Sequence, residues 1–285
     1  MLNKQYEIVV IGSGPAGEAA AMNAAKSKHS VAMICDKPRL GGNSAYPSKA
    51  LRNSVRQFIS LNANPVFSDL AEVRKVSYEQ IIKHAEHAVD EQLNMHTANY
   101  ERNHIPVIHG TARFLDPHTV EISEGKKKST LKGDHFIIAT GSRPYRPDFV
   151  DFNHKRVFDS DSILKLDHTP SKVTIIGAGV IGCEYASIFG GLDIKVELIN
   201  PAASLLSFLD TEITDALSYH LGDLGVRCHH QEHFEKMECT DDAVITYLQS
   251  GKKIKSDIVL WANGRTGNTD KLNLACLGLE ANSRG

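Results

Sequence analysis

Ile11-Gly12-Ser13-Gly14-Pro15-Ala16-Gly17 returns 165 residues later as Ile176-Gly177-Ala178-Gly179-Val180-Ile181-Gly182, and this repeated pattern decides the fold. Each copy has the same flanks. A short β-branched run precedes it (Glu7 to Ile11, Val173 to Ile176), a stretch rich in small residues follows, and a second apolar run comes next (Val31 to Ile34, Val196 to Ile199). Apolar runs on either side of a small-residue helical stretch read as a β-α-β unit. In such a unit the first glycine permits the tight strand-to-helix turn, and the second lets a pyrophosphate approach backbone N–H groups at the positive end of the helix. The third lets the helix press on the sheet. Gly12, Gly14 and Gly17 hold these places in the first copy, with Pro15 beside them, and Gly177, Gly179 and Gly182 hold them in the second. One such pattern is weak evidence, because glycine-rich turns are common. Two, each set between a strand and a helix, predict an α/β chain with two doubly wound, Rossmann-like dinucleotide-binding domains.

Length and composition agree with two medium domains. The chain has 285 residues, of which 41% are hydrophobic and 23% charged, close to an ordinary globular average. No apolar run approaches the roughly 18 residues of a membrane span, so no membrane partner is expected. With 32 Lys and Arg against 34 Asp and Glu the net charge is -2, which supplies no basic field, so nucleic acid is not an expected partner either. The five cysteines form no C-x-x-C or C-x-x-x-x-C pair, and their odd count argues against a disulfide framework and for a reducing compartment. The opening Met-Leu-Asn-Lys-Gln-Tyr enters an apolar strand by residue 7, which leaves no room for a secretory leader, so a cytoplasmic protein is expected. His135 precedes a strand, and His229, His230 and His233 have no cysteine or carboxylate at metal spacing, so no metal site is expected.

Between the copies, Pro47 to Leu61 has helical spacing at Ala50, Leu51, Val55, Phe58 and Ile59, and Ser77 to Tyr100 has it at Ile81, Ile82, Ala85, Val89 and Leu93. Short strands are expected near Pro106 to Ile108, Thr119 to Ile122 and His135 to Ala139, with a hairpin tip at Gly125 to Lys128. Pro144, Pro147 and the polar stretch to His154 mark a boundary. A helix from Thr211 to Leu224 and strands near Val226 to Cys228, Ala243 to Leu248 and Ile258 to Ala262 follow. The expected division is 1–150, 151–270, and a short return at 271–285.

A carboxylate that holds the adenosine ribose should end the second strand of each unit, roughly 20 residues after the first glycine. Neither copy has one in register. Cys35 stands there in the first copy with Asp36 beside it, and Asn200 stands there in the second. Adjacent strand residues face opposite ways, so Asp36 substitutes only if the strand end twists or slips by one. Asn200 lacks the charge that repels a 2′-phosphate, while Pro201, Ala202, Ala203 and Ser204 offer no arginine to attract one. NAD and NADP are left open.

Taken in order, Gly12 to Gly17, Gly41-Gly42 with Pro47-Ser48-Lys49-Ala50-Leu51, Ala139-Thr140-Gly141, Gly177 to Glu184 and Ala262-Asn263-Gly264-Arg265 resemble the two-dinucleotide-domain flavoprotein family that includes glutathione reductase and dihydrolipoamide dehydrogenase. The resemblance runs from about residue 5 to Gly285. Within that family, Tyr100 to His104, Gly141 to Tyr145, Asp159 to Leu164, Gly182 to Phe189 and Ala262 to Asp270 look closest to the soluble pyridine nucleotide transhydrogenases of the Si-specific type.

The resemblance implies FAD in the first domain and NAD(H) or NADP(H) as substrates in the second, with hydride passing from NADPH through flavin to NAD. It implies cofactor contacts at Gly12, Gly14, Pro15, Gly17, Cys35, Asp36, Gly41, Gly42, Lys49, Ala112, Thr140 and Gly141. The second nucleotide would be met by Gly177, Gly179, Gly182, Glu184, Asn200, Gly264 and Arg265. Lys49 and Glu184 match the family pair beside flavin N5, where positive charge stabilises the reduced anionic ring, and are the catalytic candidates. The family's disulfide reductases carry a cysteine pair between Gly-Gly and Pro-Ser-Lys, and only Asn43-Ser44-Ala45-Tyr46 stands here. Without a thiolate no nucleophile attacks a disulfide, which disfavours disulfide reduction. The family pattern continues past Gly285 into a second FAD segment and a dimerisation domain, so its homodimer interface is expected to be largely absent from these residues. A diaphorase-like oxidoreductase and a non-catalytic nucleotide-binding fragment are the alternatives.

Overall fold

The computed structural model describes residues 5–37, 40–41, 45–62, 64 and 76–285. In chain order the first half contains β1 (Gln5–Ile11), α1 (Pro15–Lys26), β2 (Val31–Cys35), α2 (Ala45–Asn62), α3 (Tyr78–Arg102), β3 (Val107–His109), β4 (Thr111–Asp116), β5 (Thr119–Glu124), β6 (Lys127–Ile138) and β7 (Ser142–Pro144). The second half contains β8 (Val157–Asp159), β9 (Lys172–Ile176), α4 (Val180–Gly190), β10 (Lys195–Asn200), α5 (Thr211–Asp223), β11 (Val226–His230), β12 (Phe234–Cys239), β13 (Val244–Leu248), β14 (Lys253–Ser256), β15 (Ile258–Trp261) and β16 (Arg265–Gly267). Two compact units result, one of residues 1–46, 88–143 and 265–285, the other of 47–87 and 144–264.

The first unit is built on a sheet in the order β3-β2-β1-β6-β5-β4. β1 runs parallel to β2 and β6, and β5 and β4 add antiparallel to the far side. All five residues of β2 are buried, because a parallel strand covered on both faces needs apolar side chains at every position. The alternation is visible in where they go. Ala32 and Ile34 join Val9, Ile11, Phe114, Val120, Leu131 and Leu272 on one face, while Val31, Met33 and Cys35 join Val10, Ala21, Ala24 and Tyr100 on the other. Lys127 and Lys128, expected at the tip of a hairpin, begin β6 instead. His135 lies inside that 12-residue strand, not before it, because β6 leaves β5 and continues in parallel register with β1 as His135 pairs with Ile8.

The second unit repeats the plan with a sheet in the order β11-β10-β9-β15-β8, all parallel. Val173, Ile175, Val196, Leu198, Ile258 and Leu260 pack on the face covered by α4 and α2. Ile176, Ile199, Val259 and Trp261 face Val244, Leu248 and Ile254 of the small antiparallel sheet β12-β13-β14. Residues 47–87 belong here by contact, a grouping absent from the linear division at 150. The cause is their apolar stripe. Leu51, Val55, Ile81, Ile82 and Ala85 share a core with Ile188 and Phe189 of α4. Tyr78 is fully buried there, stacked on Phe189 with ring centroids 5.2 Å apart, and its hydroxyl donates to the Ile163 carbonyl at 3.2 Å.

Candidate dinucleotide-binding sites

Each unit offers one site, at the carboxyl end of β1 in the first and of β9 in the second. In the first sheet β1 connects to β2 on one side, and β6 lies on its other side; β9 stands likewise between β10 and β15. Such reversal points leave a crevice beyond the strand ends, where ligands of doubly wound sheets bind.

The two cradles have the same backbone. The Gly12 N–H donates to the Ile34 carbonyl at 2.8 Å, and the Gly177 N–H donates to the Ile199 carbonyl at 3.1 Å. Ala139 N–H closes on Ile11 and Ala262 N–H on Ile176, both at 2.8 Å. Gly12 has φ +111° and Gly177 φ +106°, a region that strains any side chain, and a Cβ on either would strike the neighbouring crossover strand's end at Ala139 or Ala262. The Cβ of a residue replacing Gly17 or Gly182 would run into the carbonyl of Gly12 or Gly177, so helix and strand touch there. Gly14 and Gly179 are different. Each is the N-cap of its helix, α1 or α4, and a Cβ on either meets nothing within 4 Å. Their lack of a side chain is not demanded by packing. It leaves room in front of a helix N-terminus, where the partial positive charge and free N–H groups suit a pyrophosphate. Pro15 occupies the first turn of α1, where its missing N–H costs nothing.

The ends of the second strands are where the sites diverge. Cys35 is buried, and its thiol sits 2.9 Å from the Ser13 hydroxyl with a longer contact to the Lys37 carbonyl at 3.4 Å. β2 stops at Cys35, so Asp36 falls in the bend beyond it, exposed, with its carboxylate 4.0 Å from Lys37 Nζ. In the second unit Asn200 is buried and fully engaged. Its Oδ1 accepts from the Ala202 N–H at 3.2 Å, and its Nδ2 reaches the Ser204 carbonyl at 2.9 Å and His230 Nδ1 at 3.0 Å. Sequence reasoning missed the Cys35–Ser13 and Asn200–His230 pairings, which join residues 22 and 30 positions apart. Only the strand register brings them together: Asn200 lies opposite His230.

The remaining candidates are placed as follows. Gly41 has φ +95°, and its N–H donates to the Ser13 carbonyl at 2.9 Å, which brings it to the first cradle; Gly42 lies outside the described residues. Thr140 and Gly141 follow β6, and their carbonyls accept from the Asn268 side chain and N–H, both at 3.0 Å. The Ala112 side chain is buried among Phe114, Ile122 and Val9, so it packs the core. Gly264, with φ +94°, accepts at its carbonyl from the Tyr145 N–H, and the Arg265 guanidinium donates to the Ser142 hydroxyl at 2.8 Å and carbonyl at 2.7 Å. Lys49 is exposed on α2 and Glu184 half-buried on α4, helices that share one core. Among the described residues no ion pair joins these two, and no group of three metal-ligating side chains is assembled. Among those residues, too, no helix is long and apolar enough to cross a membrane.

Glu197, on β10, is engaged by side chains of the neighbouring strands. Burial pushes its carboxyl up, and hydrogen bonds from Lys172 at 2.8 Å and His229 Nε2 at 2.6 Å outweigh that and hold it below the usual range. His229 is thereby committed to Glu197, while His230, the next residue on the strand, faces the other way.

Comparison with known proteins places these cradles in a family. The pattern described as pyridine nucleotide-disulphide oxidoreductase matches residues 6–285. Two proteins named soluble pyridine nucleotide transhydrogenase, from Azotobacter vinelandii (strain DJ) and Pseudomonas putida (strain GB-1), are 53% and 52% identical over 285 residues, 98% of this chain and 61% of theirs. Among solved structures, the HOCl-induced flavoprotein disulfide reductase RclA from Escherichia coli matches with a TM-score of 0.82 at 26% identity, over 98% of this chain and 61% of that one. Its Cu(II) complex matches with a TM-score of 0.84, also at 26% identity, over 99% and 62%. The chain therefore spans about 61% of the length of the curated relatives it matches. With a duplicated glycine cradle on two doubly wound sheets and a pattern match over nearly its whole length, the chain belongs to the pyridine nucleotide-disulphide oxidoreductase family.

Proposed function

We propose that these residues form the nucleotide-handling part of an FAD-dependent pyridine nucleotide transhydrogenase, with FAD on the first unit and NAD(H) or NADP(H) on the second. The observation that carries this reading is the pair of open positions at Gly14 and Gly179, two helix N-termini with space for a pyrophosphate in one chain. Relatives more than half identical and bearing the transhydrogenase name support it. In linear terms, 1–150 supplies most of the flavin domain, 151–270 the nicotinamide nucleotide domain and 271–285 the return.

Bound flavin supplies a hydride acceptor that is also a hydride donor. The chain's own contribution is to bind and orient. The N–H groups at the start of α1 and α4 hold the phosphates, Gly12 and Gly177 turn the backbone beneath them, and Gly41, Thr140 and Gly141 line the first site. Lys49 is the candidate positive charge, which favours the reduced anionic flavin over the neutral oxidised one, and Glu184 is the candidate carboxylate partner of that lysine. No described group supplies a thiol relay, and hydride transfer between nucleotides needs none. The five cysteines are all free, which agrees with a cytoplasmic location.

The test is a spectrum. Purified chain is mixed with FAD, passed through gel filtration, titrated anaerobically with NADPH, and then given NAD. Retained yellow flavin that bleaches and recovers supports the reading. A folded chain that retains no flavin, or a flavin that NADPH does not bleach, overturns it for these 285 residues.

A further inference from the structure

We propose that His230 is the residue that reads the 2′-position of the adenosine ribose in the second unit, and that it is a specificity determinant favouring the 2′-phosphate of NADP(H) while tolerating the 2′-hydroxyl of NAD(H). This rests on the reading of that unit as a nicotinamide dinucleotide site.

The residue that ends β10 is where a dinucleotide-binding unit meets its ribose. Here that residue is Asn200, and it has nothing left to offer. Its amide is oriented by two backbone groups of the following loop: the Ala202 N–H needs an acceptor and the Ser204 carbonyl needs a donor. Oδ1 therefore faces Ala202, and Nδ2 faces Ser204 and His230. Both amide hydrogens and the principal acceptor are spent on holding the loop 201–204 against the sheet.

That same orientation decides the state of His230. A nitrogen facing an N–H donor must accept, so Nδ1 carries no proton and the neutral ring carries its proton on Nε2. Nε2 lies on the side of the ring away from Asn200. Its N–H has no protein partner among the described residues, and the side chain is half-buried at the strand end. The result is an N–H donor at the carboxyl end of β11, the strand that lies parallel to β10. His229 cannot serve, because its Nε2 is bound to Glu197. The loop after β10, Pro201 to Asp210, contains no lysine or arginine. Nearby Glu232 has its carboxylate paired with Lys252 at 2.6 Å.

A neutral N–H donor suits both nucleotides, because a hydroxyl and a phosphate oxygen each accept it. The bond to the phosphate is charge-assisted and roughly twice as strong. An aspartate or glutamate in the same place would reject the phosphate, and an arginine would demand it. A transhydrogenase must use both nucleotides, and a histidine held in this tautomer meets that need.

The experiment titrates the 285-residue chain with 2′,5′-ADP and with 5′-ADP by isothermal calorimetry, in the natural form and as His230→Ala and His230→Gln. His230→Ala is expected to weaken 2′,5′-ADP about tenfold or more and 5′-ADP by less than about threefold. His230→Gln, which keeps an acceptor for Asn200 and an N–H beyond it, is expected to restore most of the difference. Retained 5′-ADP binding shows that the site is still folded. Equal losses for the two ligands, or no loss for either, overturn the role of His230 while the dinucleotide reading stands. A natural chain that binds neither ligand overturns both.

Discussion

The first and second cradles superimpose in logic down to individual hydrogen bonds and then part at a single position, the last residue of the second strand. Gly12 and Gly177 share a positive φ, a neighbouring crossover alanine and a strand-end carbonyl as partner. Cys35 and Asn200 share only their place. Cys35 turns inward to Ser13, so the first strand end presents a buried thiol and, one residue on, an exposed Asp36. Asn200 turns into its own loop and also holds His230 of the neighbouring strand. The difference teaches that the phosphate half of such a site is a backbone property, which tolerates little change, whereas the ribose half is a side-chain property and can be rebuilt from a neighbouring strand.

The largest effect is expected at the turn glycines. Gly12→Val places branched carbons against the Ala139 backbone at a φ that side chains avoid, and should cost about 3 kcal/mol or more of stability in the first unit. Flavin retention should then be lost while calorimetry still detects NADH binding, and Gly177→Val should do the reverse. Loss of both functions from one substitution would break the picture of two separate cradles.

Gly14→Ala and Gly179→Ala sharpen the comparison, because the new methyl meets open space. Melting temperatures should stay within about 2 °C, since the substitution touches nothing. Affinity for the matching nucleotide should fall about tenfold or more, because the methyl occupies the phosphate approach. A drop in melting temperature with affinity intact would mean that these glycines serve the fold and not the ligand.

Acid should separate the units. The second holds three buried carboxylates, Asp159, Glu197 and Glu232; burial raises each, and hydrogen bonds from backbone N–H groups or partner cations more than reverse that, so all three are held below the usual range. Asp159 is held by the Ser162 and Asp161 N–H groups and by Arg146. A carboxyl lowered in the folded state stabilises above its unfolded value and loses that contribution as pH falls through the folded one. The lowered carboxyls of the first unit, Glu7, Asp116 and Asp270, are solvent-exposed and screened. Below about pH 4 the second unit should therefore weaken first, by about 1 kcal/mol, and Trp261, the one tryptophan, lies in its core and reports the change by fluorescence. Trp261 emission that stays native after flavin release at low pH would reverse the order.

The smallest effect is expected at Cys35. Cys35→Asp puts a carboxylate at the strand end where the ribose hydroxyls arrive, and should tighten FAD a few-fold in an equilibrium titration. Unchanged affinity would place ribose recognition elsewhere in the first unit.

Much of this was legible in one dimension. The glycine repeat located both cradles, the apolar runs located the parallel strands, and helical spacing located α2 within two residues at its start and one at its end. These signals are local, because turn chemistry and periodicity act over a few residues. Other features were not legible. Residues 47–87 read as part of the first half, yet their apolar stripe is buried against α4, a partner on the order of 100 positions away in sequence. Asp36 could read as a stand-in for the missing carboxylate only if the strand end turned, and only the folded chain shows that β2 ends at Cys35 with Asp36 in the bend beyond it.

The sequence by itself determined the backbone of the two sites, since only glycine fits a positive φ beside a crossover strand, and only a strand followed by a helix puts N–H groups at its end. Tertiary structure alone decided which side chains complete them. Register sets Asn200 opposite His230, and packing sets Cys35 beside Ser13. Hydrogen bonds then determine which atoms are left to meet a ligand, and those partners come from strands that the chain joins only when it is folded.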